Sequence, residues 1–232
     1  MIELLGAAVA VRTADGGVRT LLHPTTAVLA ERRVAVVGAN GSGKSTLARL
    51  AGGLVLPTAG RVLVDGLDTA TDGAAVRRRV GFCFTDPDAQ LVMPTPAEDV
   101  ALSLRRTVPP ADRAAAAREV LERFGLGGHA DVPVHALSGG QKQLLALAGV
   151  LATRPAVLVC DEPTTLLDLR WRRVVDELLE AAEPQVLLVT HDLAAARRAD
   201  RVLVVDEGRV VADGEPEAAV DAYLRLMAGR PA

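Results

Sequence analysis

The chain has 232 residues, half of them apolar but only 2% aromatic, so it holds enough material for a buried core and must build it from Ala, Val and Leu. A formal net charge of -3 with 24% charged residues and no basic block offers no electrostatic footprint for nucleic acid. No apolar run approaches the roughly 18 residues of a membrane-spanning helix, and the start, with Glu3 and no basic stretch, does not read as a secretion signal.

Four short runs rich in Val and Leu read as strands buried on both faces: "VAVVG" from Val34, "VGFCF" from Val80, "AVLVC" from Ala156 and "VLLVT" from Val186. Helical patterns lie between and after them, and the alternation predicts an α/β fold with a parallel sheet. "RVLVDG" at 61–66 and "RVLVVDEGRVVADG" from Arg201 read as hairpin or edge strands, with Asp-Gly and Glu-Gly turns. Arg77 to Arg79 read as a solvated helix face. Cys83 and Cys160, each inside an apolar run, read as buried reduced thiols, which fits a reducing cytoplasm.

From about Pro94 to Leu151 strands are missing. Thr95-Pro96-Ala97-Glu98 is a capping box with proline at the first helical position, so a helix starts there. Pro109-Pro110 opens another and "GLGG" at 125–128 closes it. This region reads as a helical lobe inserted into the α/β core. "EPEAAVDAYLRLMAGRPA" at the end reads as a last helix and a frayed tail, leaving little room for a regulatory domain.

"GANGSGKST", Gly38 to Thr46, fits the phosphate-loop pattern G-x-x-x-x-G-K-[ST], after a strand and before the helical "STLARLAGGL". Gly38, Asn40, Gly41, Ser42 and Gly43 let the backbone wrap a phosphate and turn its N–H groups inward, and the helix start adds positive potential. Lys44, one of two lysines with Lys142, is a compact charge on a long stem that reaches between two phosphates. Ser45 would ligate Mg2+. In "AVLVCDEPTT" the strand ends in Asp161, suited to Mg2+ directly or through water, and Glu162 follows, where a carboxylate polarises the attacking water. A kinase or other phosphate-loop transferase would use Lys44 and Ser45 equally well, and a regulatory module would bind nucleotide without hydrolysis.

"LSGGQKQ", Leu137 to Gln143, begins a long helix in which Ser138 and Gln141 form a capping box and Gly139 and Gly140 expose backbone N–H groups to an anion. With "GANGSGKST", "VLVCDEP" and His191 after "VLLVT", in that order, the chain resembles the nucleotide-binding subunit of ABC transporters over essentially its whole length. The resemblance implies a single ABC ATPase domain: a P-loop core with an N-terminal antiparallel β subdomain at 1–84 and 152–232, and a helical lobe with its coupling loop at 85–151. Two subunits would pair head to tail, each ATP lying between the phosphate loop of one and Ser138, Gly139, Gly140 and Gln141 of the other. Asp168 would fall in the loop linking the two sites, and His191 would contact the γ-phosphate and hold Glu162. One chain carries every element, so a homodimer would be competent, with ATP and Mg2+ and without nucleic acid.

Two departures stand out. Where such proteins usually have a glutamine that contacts the metal site, this chain has Thr85, too short to reach without a bridging water, and Gln90 is not an obvious replacement. They also usually stack adenine on an aromatic residue near Val11 to Thr13. Nothing before Phe82 is aromatic, and Arg12 is the nearest candidate for a cation–π contact.

"FTDPDAQLVMPTPAEDVALSL", from Phe84, is similar to the corresponding loop of energy-coupling-factor importers of the cobalt and biotin type, and the chain looks most like their biotin-transporter ATPase. That resemblance implies integral membrane partners, one of them substrate-binding, a peripheral place on the cytoplasmic face of the membrane, and docking in which Asp86 and Asp88 face arginines of a membrane subunit. A soluble ABC ATPase of iron–sulfur cluster assembly is the alternative.

Overall fold

The computed structural model describes residues 1–229. Two sheets flank the first helix. Strands β1 (Ile2–Arg12), β2 (Val18–Leu29), β4 (Ala59–Val64) and β5 (Leu67–Asp68) form an antiparallel sheet in the order β2-β1-β4-β5. Strands β3 (Arg33–Val37), β6 (Val80–Cys83), β7 (Val157–Asp161), β8 (Gln185–Val189), β9 (Arg201–Asp206) and β10 (Arg209–Gly214) form the larger sheet, ordered β10-β9-β3-β8-β7-β6. Every pairing in it is parallel except β10 on β9.

All four apolar runs are strands of this larger sheet, and their residues alternate between two cores as a pleat requires. Val34, Val36, Val157 and Val159 join α1 (Lys44–Ala51) and the antiparallel sheet in one buried cluster, which puts α1 between the sheets. Leu158, Cys160 and Cys83 face the opposite cluster, with α3 (Pro96–Ser103), α4 (Arg113–Arg123), α5 (Gly139–Ala152) and α6 (Leu169–Ala181). Ala35, Val37, Val202 and Val204 pack under α7 (Leu193–Arg197) and α8 (Pro216–Ala228).

Both expected capping boxes are present, at Thr95 with Glu98 and at Ser138 with Gln141. The diproline at 109–110 lies in a turn before α4, which starts only at Arg113. The Arg201 hairpin exists, but β9 is an interior strand beside β3 and only β10 forms the sheet edge. α2 (Gly73–Arg79) carries Arg77 to Arg79 exposed, and Cys83 and Cys160 are fully buried opposite each other. The expected frayed tail at 230–232 lies outside the described residues.

Candidate active site

The C-terminal ends of β3, β7 and β8 lie side by side in register, Val36 against Val189 and Val189 against Asp161, and three motifs leave the sheet there. Such an edge is where open parallel sheets hold ligands. The loop from β3 runs under the β9–β10 turn at very close range. A Cβ at Gly38 (φ 156°) would stand 2.1 Å from the Val205 carbonyl oxygen, and one at Gly43 (φ 107°) 2.8 Å from that of Leu21, so these positions admit only glycine.

Lys44, 4% exposed, donates from Nζ to Ala39 O at 2.8 Å and stands 3.9 Å from Glu162 Oε1. Burial lowers its pKa, and the charges of Glu162 and Asp161 oppose the shift. Asp161, 2% exposed, ends β7; Ser45 Oγ donates to its Oδ1 at 2.8 Å and the Arg49 guanidinium is 3.8 Å from Oδ2. Burial raises its pKa against the pull of Ser45 and Arg49. A buried carboxylate beside a hydroxyl is a hard-oxygen donor pair suited to Mg2+, which borrows its remaining oxygens from phosphate and water.

Glu162 sits at φ 53°, a left-handed conformation uncommon for a residue with a side chain. Its N–H donates to Val189 O at 3.0 Å, which ties it to the neighbouring strand. Besides Lys44, its carboxylate meets His191 Nε2 at 2.7 Å from Oε1 and Thr165 Oγ1, which donates to Oε2 at 3.0 Å. Sequence reasoning named His191 and missed Thr165, although "TT" after "DEP" was its signal. Thr85 donates its hydroxyl to Asp161 O at 2.6 Å, joining the loop after β6 to the strand that carries the acidic pair. Gln90 holds the same loop elsewhere, accepting from Phe84 N–H at 3.3 Å and donating to Ala146 O at 3.4 Å on α5.

A cavity of about 560 Å³ opens over this floor, a size usual for small-molecule sites. Asn40, Gly41 and Thr46 line it at the phosphate loop, and Arg19, Thr20 and Leu21 line it from β2. Arg12 does not line it. Arg12 stands opposite Val18 and Arg19 opposite Val11 in the β1–β2 ladder, so the two arginines point to opposite faces.

Ser138 to Gln141 do not line this cavity either. They form the start of α5, where Gln141 Oε1 accepts from Ser138 N–H at 2.8 Å and Gln141 Nε2 meets His129 Nε2 at 2.9 Å. Gly140 faces Trp171 so closely that a Cβ would lie 2.2 Å from the indole. Asp168 caps the helix carrying that indole, accepting from Trp171 N–H at 3.0 Å. The loop at Asp168 and the start of α5 are thus packed together through Trp171, which sequence reasoning overlooked. Asp86 and Asp88 both have partners within the chain: Asp86 accepts from Asp88 N–H at 3.0 Å, and the Asp88 carboxylate pairs with Lys142 Nζ at 2.8 Å.

A strand, a glycine loop and a helix under a nucleotide-sized cavity, with an acidic pair ending a neighbouring strand, define a phosphate-loop nucleoside triphosphatase. Residues 23–165 match the family model described as ABC transporter, and the chain belongs to that family as an ATP-hydrolysing subunit. It is 51% identical to a putative ABC transporter ATP-binding protein of Deinococcus radiodurans, over 90% of this chain and 93% of that one. It is 43% identical to the biotin transport ATP-binding protein BioM of Rhizobium etli, over 91% and 95%. Identity is 47% to an energy-coupling factor transporter ATP-binding protein of Symbiobacterium thermophilum, over 79% and 66%. Among solved structures, a dimeric ATP-binding cassette bound to ADP and Pi superposes with TM-score 0.82 at 29% identity, covering 93% of this chain and 99% of that one. The protein cbiO1 of Clostridium perfringens, part of the ABC transporter complex cbiONQ, gives 0.79 at 30% identity, covering 98% and 92%.

Proposed function

We propose that the chain hydrolyses Mg2+-ATP at the interface of a head-to-tail homodimer and thereby drives an importer of the energy-coupling-factor type for a vitamin, biotin first among them, or a metal ion. The observation that carries the catalytic part is the Glu162 carboxylate, held at once 3.9 Å from the Lys44 ammonium and 2.7 Å from His191. Lys44 and the N–H groups of the loop hold the β- and γ-phosphates. Glu162 accepts the proton of the water that attacks the γ-phosphorus as the bond to the ADP oxygen breaks. His191 and Thr165 fix the carboxylate, and His191 adds a contact to the γ-phosphate. Ser45 and Asp161 would hold Mg2+, which supplies charge neutralisation on the phosphates, and Thr85 braces the Asp161 backbone beside them.

Ser138 to Gln141 lie outside the cavity of their own chain and serve the ATP of the second copy, with Asp168 linking the two sites through Trp171. No helix among the described residues is long and apolar enough to cross a membrane, so the importer reading requires separate integral membrane subunits, one of them substrate-binding, with this chain peripheral on the cytoplasmic face. The loop from Phe84 is the docking element in this reading. Asp88, 60% exposed, accepts from Lys142 Nζ through both carboxylate oxygens, at 2.8 and 3.0 Å, and in this reading a cationic partner competes with Lys142 for it. Names of the relatives support the importer reading over iron–sulfur cluster assembly.

Purification of the tagged chain from host membranes in mild detergent tests this. Two small integral membrane proteins and no second ATPase are the expected companions. A soluble partner alone would move the chain out of transport.

A further inference from the structure

The capping box at the start of α5 has a third member. Gln141 Oε1 accepts from Ser138 N–H at 2.8 Å, which settles the direction of the amide: an NH2 group cannot face an N–H, so Gln141 Nε2 points the other way. There it lies 2.9 Å from His129 Nε2 and can only donate. The imidazole is therefore neutral, with its proton on Nδ1. His129 Nδ1 is buried and has no hydrogen-bond partner among the described residues, so it is Gln141 alone that selects this tautomer. His129 ends a 3₁₀ turn, Gly127–His129, and its N–H donates to Leu126 O at 2.9 Å. The neighbours Leu126 and Ala130 are buried in the core of the helical lobe, and Ala130 O accepts from Ala97 N–H of α3 at 2.9 Å. The ring thus stands on packed structure and offers Gln141 an acceptor at a fixed place.

We propose that neutral His129 is the positioning residue of the Ser138-to-Gln141 segment, holding the Gln141 amide so that the start of α5 is set for the phosphates of an ATP bound to a second copy. The inference rests on the reading that this segment serves the ATP of that second copy. With the amide held, Ser138 N–H stays covered, and the Ser138 hydroxyl, which accepts from Gln141 N–H at 3.3 Å, keeps its own proton to donate outward. His129 itself touches neither nucleotide nor reacting atoms; it acts through Gln141.

Two readouts test this. Long-range proton–nitrogen NMR correlation of the full chain, at about pH 8 where an ordinary imidazole is neutral, should show the Nδ1–H tautomer at His129, assigned by the signal lost in His129→Gln. In a Glu162→Gln background, sedimentation should show ATP-driven dimerisation weakened about tenfold by His129→Leu, one hydrogen bond being lost at each of two sites. ATP affinity measured at concentrations too low for dimerisation should not change. His129→Gln, whose Oε1 stands where Nε2 stood, should restore dimerisation. An Nε2–H tautomer, or parental dimerisation in His129→Leu, would overturn the inference alone. A loss that His129→Gln did not rescue would also overturn it, because the ring would then only fill space. A Glu162→Gln chain that bound ATP and stayed monomeric would overturn the head-to-tail reading, and the inference with it.

Discussion

Lys44 sits in a space bounded by a carbonyl and a carboxylate, and the chain, which carries its positive charge almost wholly on arginine, keeps lysine there for a steric reason. The gap between Ala39 O, at 2.8 Å, and Glu162 Oε1, at 3.9 Å, fits an ammonium group and is too narrow for a guanidinium fork. Lys44→Arg is therefore expected to cut ATP hydrolysis by about a hundredfold or more, the usual cost of losing one pre-placed donor to developing charge. A turnover rate within twofold of the parent would contradict it. Glu162→Gln should keep ATP binding and lose about 10²- to 10⁴-fold in rate, because the amide cannot take the proton. Lys44, Asp161 and Glu162 were legible because their chemistry is fixed by contiguous sequence next to a strand. The places of Thr165 and Trp171 were not, since each depends on what the fold sets against it: a carboxylate and a glycine.

At the scale of elements, periodicity identified the strands buried on both faces, whose apolar runs are continuous. It said less about β1 and β2, whose register shifts between Leu4 and Ala7, Ala7 and Val9, and Val9 and Ala10 break the alternation that marks a strand. The interior place of β9 was hidden for another reason: its run has the composition of an edge hairpin, and only pairing with β3 decides otherwise. The start of α5 was legible as a capping box, but the reason for its second glycine was not. With the Trp171 ring carbon 2.2 Å from a Cβ at Gly140, Gly140→Ala must push α5 away from α6. Urea unfolding should show a loss of about 1–3 kcal/mol, as for overpacking elsewhere, and Trp171→Leu should recover most of it in the double variant. If the two changes simply added, the contact between these helices would not be what requires glycine.

For the whole molecule, the arrangement of the two halves of the site is the feature that matters. The phosphate loop and Glu162 line one cavity, with Asp161 and His191 bonded to Ser45 and Glu162 behind them, while Ser138 to Gln141 begin a helix that has no such tie to it. A single chain thus carries both halves without joining them, and the proposed remedy is a second copy turned head to tail. The architecture of the chain was readable from four motifs in order, because three of them need the same sheet edge and the fourth opens a long helix; the cargo was not, because in the proposed importer a different protein binds it. Sedimentation velocity of the Glu162→Gln chain, with saturating Mg-ATP and then with Mg-ADP, tests the dimer most directly. The account predicts a doubling of mass with ATP and a monomer with ADP. A chain that binds ATP and keeps the monomer mass would contradict it.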